Sequence, residues 1–429
     1  MLDKSIESHG TDASLYTMLV DALEYLSESV MGEPVRDAPP CHSRFLLTGA
    51  KPAPVRALDG RNPAPVAYFY RMGEHTEVLV VGAGICGTFL SMELERAGIT
   101  HVVIDEQRSF TASRSAAGLI NPVTGRRIVT TWMIDELLPF AVDAYAHLAE
   151  LLGASFFSPA RVIDFFPTAQ MRLAFLKRLE EDAAYLQLPA DEHAWDGCFH
   201  TELGYGIITS CYLVDMPGLL AAARVRMSAC GILREERFER EELVVEGESI
   251  RYRDITARRI IFCDGVESFN NPYFSRLPFA PNKGEALIVE IDGLAEVAGA
   301  LKTVFKKGMS IVPWRDGLYW VGSSYEWSFE HADPTEGFRL RAEAALRDWV
   351  RLPFRLLEHV ASVRPATLER RPFVGFHPLH PAVGILNGMG TKGCSLAPFF
   401  ARQLARYIVD GSAILPEADV RRFTKILSR

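Results

Sequence analysis

From residue 77 onward the chain alternates short apolar runs with stretches of helical spacing. Strand-like runs occur at EVLVV (77–81), HVVID (101–105), RIIFC (259–263), EALIVEI (285–291), SIVPW (310–314), LYWVGS (318–323) and AVGIL (382–386). Helical periodicity marks 87–97, 133–152, 169–187, 215–229, 335–350 and 396–410. The segment leading into residues 362–372 also has a helix-like apolar pattern. Both ends read as α/β, while an aromatic-rich block from about 276 to 327 has an antiparallel look, so two domains interleaved along the chain are expected. Residues 1–71 differ. One helical pattern, SLYTMLVDALEYLSESVM (14–31), precedes a proline-rich stretch without periodicity, and the region reads as an irregular extension. Met72 then opens a short polar lead-in to a buried strand, which makes it the expected initiator and the upstream residues an expected dispensable segment.

Composition narrows the function. The 429 residues are 48% hydrophobic, enough for sizeable cores, and the formal charge of −8 gives no basic field for a nucleic-acid backbone. Seven scattered cysteines, without C-x-x-C pairs or zinc-like spacing, point to reduced thiols and a cytoplasmic setting. No stretch reaches the length of a membrane span, and no metal cluster is expected. The histidines at 75, 101, 193, 200, 331 and 359 lack catalytic context and read as surface or satisfied residues.

The strongest local signal is VLVVGAGICGTFLSMELERAGITHVVIDE (78–106). Gly82, Gly84 and Gly87 follow an apolar strand and open a helix, the context that the G-x-G-x-x-G fingerprint requires. A pyrophosphate would sit on the amides of the helix N-terminus. Asp105 and Glu106 end the next strand, where a carboxylate can accept from a ribose diol; the spacing favours Asp105, with Glu106 adjacent.

Six segments in order resemble the FAD-dependent D-amino acid oxidase superfamily, most nearly its glycine oxidase-like amine oxidases. Besides the glycine turn they are SRSAAGLINP (113–122), RIIFCDGVES (259–268), NKGEALIVE with SIVPWRDGLYWVGSS (282–290, 310–324), VRPATLERRPFVG (363–375) and GILNGMGTKGCSLAP (384–398). The resemblance implies an α/β fold in which a Rossmann-like FAD-binding domain (72–150, 205–275 and 361–429) interleaves with an antiparallel-sheet α+β substrate domain (151–204 and 276–360). It implies non-covalent FAD held by Gly82, Ala83, Gly84, Gly87, Asp105, Glu106, Ser113, Ala117, Gly118, Leu119, Gly265, Gly388, Met389, Gly390, Thr391, Lys392 and Gly393. It also implies oxidation of the C–N bond of an amino acid or N-substituted amino acid: hydride transfer to flavin N5 gives an imine that hydrolyses, and a neutral amine needs no side-chain base. Oxygen or a quinone or other carrier would take the electrons. Arg364 matches the family's carboxylate anchor; a structural pairing with Glu369 is its bland alternative.

This chain departs from the glycine oxidase pattern at Ser310, where a tyrosine is usual, and at Thr391, where a second arginine is usual. Both weaken glycine as the substrate. Arg126 and Arg127 leave room for a larger or dianionic one, although adjacent arginines more often form a solvated pair. Tyr319, Trp320, Tyr325 and Trp327 are expected to divide between sheet core and pocket wall. Oxidation of a 2-hydroxy acid and service as a tRNA-modifying flavoprotein domain are the alternative functions.

Overall fold

Val78, Leu79, Val80 and Val81 are buried in succession in the computed structural model, which describes residues 74–429. Unbroken burial of this kind belongs to a strand covered on both faces. The strand Glu74–Val81 runs parallel to His101–Ile104 on one side and to Ile255–Phe262 on the other. Leu233–Arg234 and Val383–Asn387 extend the parallel set, and the hairpin Leu243–Glu246/Ser249–Tyr252 with Phe373–Phe376 completes an eight-stranded sheet. Helices Ile85–Arg96, Ile134–Leu152, Met216–Ala229 and Gly393–Asp410 share one core on this sheet. The start of Met216–Ala229 is fixed by Asp215, which accepts from Gly218 N at 3.0 Å and caps the helix. The expected helix at 14–31 and the extension at 1–71 lie outside the described residues.

The second sheet has nine strands. Its order is Phe354–Arg364, Asn282–Ile291, Tyr319–Gly322, Met309–Pro313, Lys302–Lys307, Phe157–Phe165, Tyr205–Val214 and Leu119–Ile120, with Leu186–Gln187 beside Tyr205–Val214. Pairing is antiparallel except between Lys302–Lys307 and Phe157–Phe165. Alternation along Asn282–Ile291 divides its two faces. Leu287, Val289 and Ile291 join the core that helix Glu336–Trp349 covers, whereas Ala286 and Ile288 pack in another cluster with Val312, Trp320 and Val360.

Several elements differ from the sequence pattern. The helix-like run before residue 362 is an eleven-residue strand, Phe354–Arg364, paired along its whole length with Asn282–Ile291. Its leucine, arginine and glutamate favour a helix locally, and cross-strand pairing overrides that preference. The helix expected over 169–187 stops at Glu181, because Leu186 and Gln187 pair with Ile208 and Ile207. The strands at Phe157–Phe165 and Lys302–Lys307 carry no clear apolar run and were not anticipated. Tyr205–Val214 belongs to the second sheet, so the chain returns to the first sheet only with helix Met216–Ala229, later than the division at 205.

Two glycines hold the first strand against its helix. A Cβ on Gly87 would lie 1.8 Å from the Gly82 carbonyl oxygen, and one on Gly82, whose φ is +96°, would lie 2.6 Å from the Cys263 carbonyl oxygen. Backbone atoms cannot yield as a flexible side chain can. Gly87→Ala is therefore expected to lower stability by about 1–3 kcal/mol and to reduce the flavin bound per protein, as read by thermal unfolding and by the ratio of flavin to protein absorbance.

Candidate active site

A single cavity of about 1130 Å³ opens where the glycine turn, the 113–119 loop, the second sheet and the 389–394 loop meet. Of the residues expected to hold FAD, together with Arg364, all but Gly87 and Gly388 line it: Gly82, Ala83, Gly84, Asp105, Glu106, Ser113, Ala117, Gly118, Leu119, Gly265, Arg364, Met389, Gly390, Thr391, Lys392 and Gly393. Gly87 packs against the turn, and Gly388 (φ +80°) lies under Thr367.

At the helix end, Gly84 occupies the cap position without a side chain to offer. Ser113 Oγ reaches across from the next loop and accepts from Ile85 N at 3.1 Å. Asp105 Oδ2 accepts from Ala83 N at 2.8 Å, while its Oδ1 accepts from the buried Arg224 Nη1 at 2.6 Å. Asp105 thus ties the glycine turn to helix Met216–Ala229. Glu106 pairs instead with Arg108, at 2.5 Å. Arg224 was not visible as a site residue, because a helical arginine near a distant aspartate leaves no local pattern.

Arg364 ends the edge strand and reaches over its neighbour. Its Nη1 donates to Asn282 Oδ1 at 2.6 Å and its Nη2 to Ser323 Oγ at 2.7 Å, with the Ser324 carbonyl oxygen at 3.4 and 3.5 Å from the two nitrogens. Its Cζ lies 5.7 Å from the centre of the Tyr325 ring. No carboxylate pairs with it among the described residues; Glu369, its bland alternative partner, pairs with Arg422 at 3.3 Å. Burial lowers the Arg364 pKa, against the effect of Tyr325. Gly284 makes this posture possible, since a Cβ there would lie 1.8 Å from Arg364 Nη2. Asn282, Gly284 and Ser323 escaped the sequence reading, because small polar residues on strands carry no motif.

The other wall is polar as well. Lys392 Nζ donates to Thr131 Oγ1 at 2.9 Å, and burial, with Arg370 and Arg371 nearby, lowers its pKa to about 8. Lys306 lines the cavity and pairs with buried Asp164 at 2.8 Å; burial raises the Asp164 pKa. Ser310 and Thr391 face the same space. Trp320 lines it and donates from Nε1 to Ser115 O at 3.1 Å, whereas Tyr319 is in the sheet core. Tyr325 and Trp327 are 50% and 53% exposed and meet edge to face. His359 lines the cavity too, its Nε2 lying 2.9 Å from Glu285 Oε2. Arg126 and Arg127 are exposed, in the turn between the short strands Val123–Thr124 and Val129–Thr130, and neither lines the cavity.

Compared with known proteins, residues 77–407 match the family model for FAD-dependent oxidoreductases. This chain belongs to that family. The FAD-dependent oxidoreductase is 25% identical to the glycine oxidase of Pseudomonas aeruginosa over 358 residues, covering 76% of this chain and 93% of that one. Its fold is similar to the crystal structure of glycine oxidase from Geobacillus kaustophilus (TM-score 0.66, 18% identity, 80% of this chain and 96% of that one). It is also similar to iminodiacetate oxidase from Chelativorans sp. BNC1 (TM-score 0.64, 22% identity, 79% and 97%). The residues present fit FAD. The glycine turn leaves no room for side chains at Gly82 and Gly87, the cap at Gly84 is bare, and the cavity exceeds the about 300–1,000 Å³ of ordinary ligand pockets.

The oxidoreductase offers a direct check of the Arg364 posture. Gly284→Ala forces the guanidinium off its neighbouring strand. Flavin content is expected to stay near wild type while the KM of any carboxylate substrate rises at least tenfold, about 1.4 kcal/mol; equal KM values would show that the posture does not matter.

Proposed function

We propose that this FAD-dependent oxidoreductase oxidises the C–N bond of an amino acid or N-substituted amino acid and that Arg364 grips the substrate carboxylate. The observation that carries the reading is a half-buried guanidinium at the cavity wall with neutral acceptors around it and, among the described residues, no carboxylate of its own. A buried charge of this kind is stabilised by an incoming anion far more than a surface arginine is. Iminodiacetate oxidase, a fold neighbour named for an N-substituted amino acid, supports the same substrate class.

In this reading Gly82, Ala83, Gly84, Ser113 and Asp105 with Glu106 hold the dinucleotide end of FAD, and Gly118, Leu119, Gly265 and the loop from Met389 to Gly393 lie along the rest. The chemistry that FAD supplies when bound is acceptance of a hydride from the carbon beside the nitrogen. Arg364 fixes the substrate carboxylate through charge-assisted hydrogen bonding, which orients that carbon and limits its rotation. Trp320 and Val312 give the cavity an apolar wall. The amine enters uncharged, so no side chain has to remove a proton from it. The imine product then hydrolyses. Lys392 adds positive charge to the wall while protonated, and Cys394 stays a buried thiol with its pKa pushed up to about 12, consistent with non-covalent FAD.

Anaerobic bleaching of the flavin band against amino acids, N-methyl amino acids, iminodiacetate and 2-hydroxy acids tests the reading. Reduction by an amine class is expected, and readmitted air then shows whether oxygen is the acceptor; reduction by 2-hydroxy acids alone would overturn it. Arg364→Ala is expected to keep the flavin and lose about 2–5 kcal/mol of substrate binding. Lys392 has a depressed pKa, so its charge is lost as pH rises through about 8. Acetate affinity is accordingly expected to fall between about pH 7 and 9, and Lys392→Met to flatten that fall.

A further inference from the structure

Arginine has five N–H donors and no acceptor, so the contact between Arg364 Nη2 and Ser323 Oγ has one possible direction. The serine oxygen accepts. Its own hydrogen remains, and among the described residues no acceptor takes it. Ser323 lines the cavity, whereas Asn282, which holds the other terminal nitrogen, is 0% exposed and does not. The Ser324 carbonyl sits between the two nitrogens at 3.4 and 3.5 Å, long for N–H···O contacts, so it is readily replaced by an acceptor with a full charge. A carboxylate entering from the cavity meets Arg364 and the free Ser323 hydroxyl together, since both line it.

We propose that Ser323 is a second ligand of the substrate carboxylate: its hydroxyl accepts from Arg364 and donates onward to the carboxylate. The proposal rests on the reading of Arg364 as the carboxylate anchor. A carboxylate has two oxygens with about four lone-pair sites, and the guanidinium and hydroxyl together engage both. An ester or amide presents a single carbonyl oxygen and loses one arm. Ser323 therefore takes part in selecting free acids, whereas Ser310, on the strand paired with Tyr319–Gly322, makes no hydrogen bond to Arg364.

The test is titration of the FAD-loaded enzyme with acetate, a carboxylate without an oxidisable amine, read from the shift of the flavin absorption band, with acetamide as the neutral control. Ser323→Ala is expected to weaken acetate binding about tenfold to a hundredfold and to leave acetamide unchanged; Ser323→Thr, which keeps a hydroxyl, is expected to restore most of it. Arg364→Ala separates the two readings. If Arg364→Ala abolishes acetate binding while Ser323→Ala leaves it intact, the serine is only a prop and the present proposal falls alone. If Arg364→Ala changes nothing, the anchor falls and this proposal with it. Should Ser323→Ala lose its flavin, a crystal structure of the wild-type enzyme with acetate decides: Oγ hydrogen-bonded to acetate supports the proposal, and Oγ turned away from it overturns it.

Discussion

A guanidinium stays charged at any pH a folded protein survives, so placing Arg364 at a cavity wall commits its surroundings to supplying acceptors. Asn282, Ser323 and the Ser324 carbonyl supply them, and all are neutral. Neutral acceptors satisfy hydrogen-bond geometry without cancelling charge. The guanidinium keeps its own attraction for anions, which a partner aspartate or glutamate would have extinguished. Much of the local sequence follows from this one demand. Gly284 must lack a side chain, Asn282 must face its cross-strand partner Arg364, and Tyr325 offers its ring to the cation from the exposed side. The buried Lys306–Asp164 and Arg224–Asp105 pairs follow the opposite rule, each cation meeting a carboxylate. The contrast sets Arg364 apart as a cation whose side-chain and backbone acceptors are all neutral.

The two sheets divide the remaining work by their construction. Parallel strands buried on both faces aim their C-terminal ends at one edge, and the turns there carry the glycines and the acidic residues. The antiparallel sheet alternates, so one face packs under helix Glu336–Trp349 while the other presents Ala286, Val312, Trp320 and Ser310 to the cavity. Gly284 and Gly322 on that face also line the cavity, and the bare Gly284 leaves room for the Arg364 guanidinium.

How much of this was legible depends on how far each signal extends along the chain. Runs such as Val78–Val81 and the glycine turn announce themselves, because burial on two faces and a close backbone approach demand particular residues in sequence order. Phe354–Arg364 did not, since an edge strand with leucine and glutamate follows a helix pattern until its partner strand is known. Arg364 was legible through a resemblance carried by neighbouring residues. Ser323, Asn282 and Arg224 were not, because their meaning comes from partners 41, 82 and 119 positions away. Arg126 and Arg127 show the reverse case: a pair of cations reads alike in a pocket and on an exposed turn, and only burial tells them apart.

The strand Val383–Asn387 slots in parallel beside Ile255–Phe262, and the loop that follows it completes the cavity wall before helix Gly393–Asp410 packs against Ile85–Arg96. During synthesis the glycine turn leaves the ribosome some 300 residues before that wall exists. The nascent chain therefore presents the glycine turn without the opposite cavity wall, and its first sheet lacks the two strands Phe373–Phe376 and Val383–Asn387 until the last segment arrives. Both halves of the cavity therefore stand together only once the segment through Cys394 has been made.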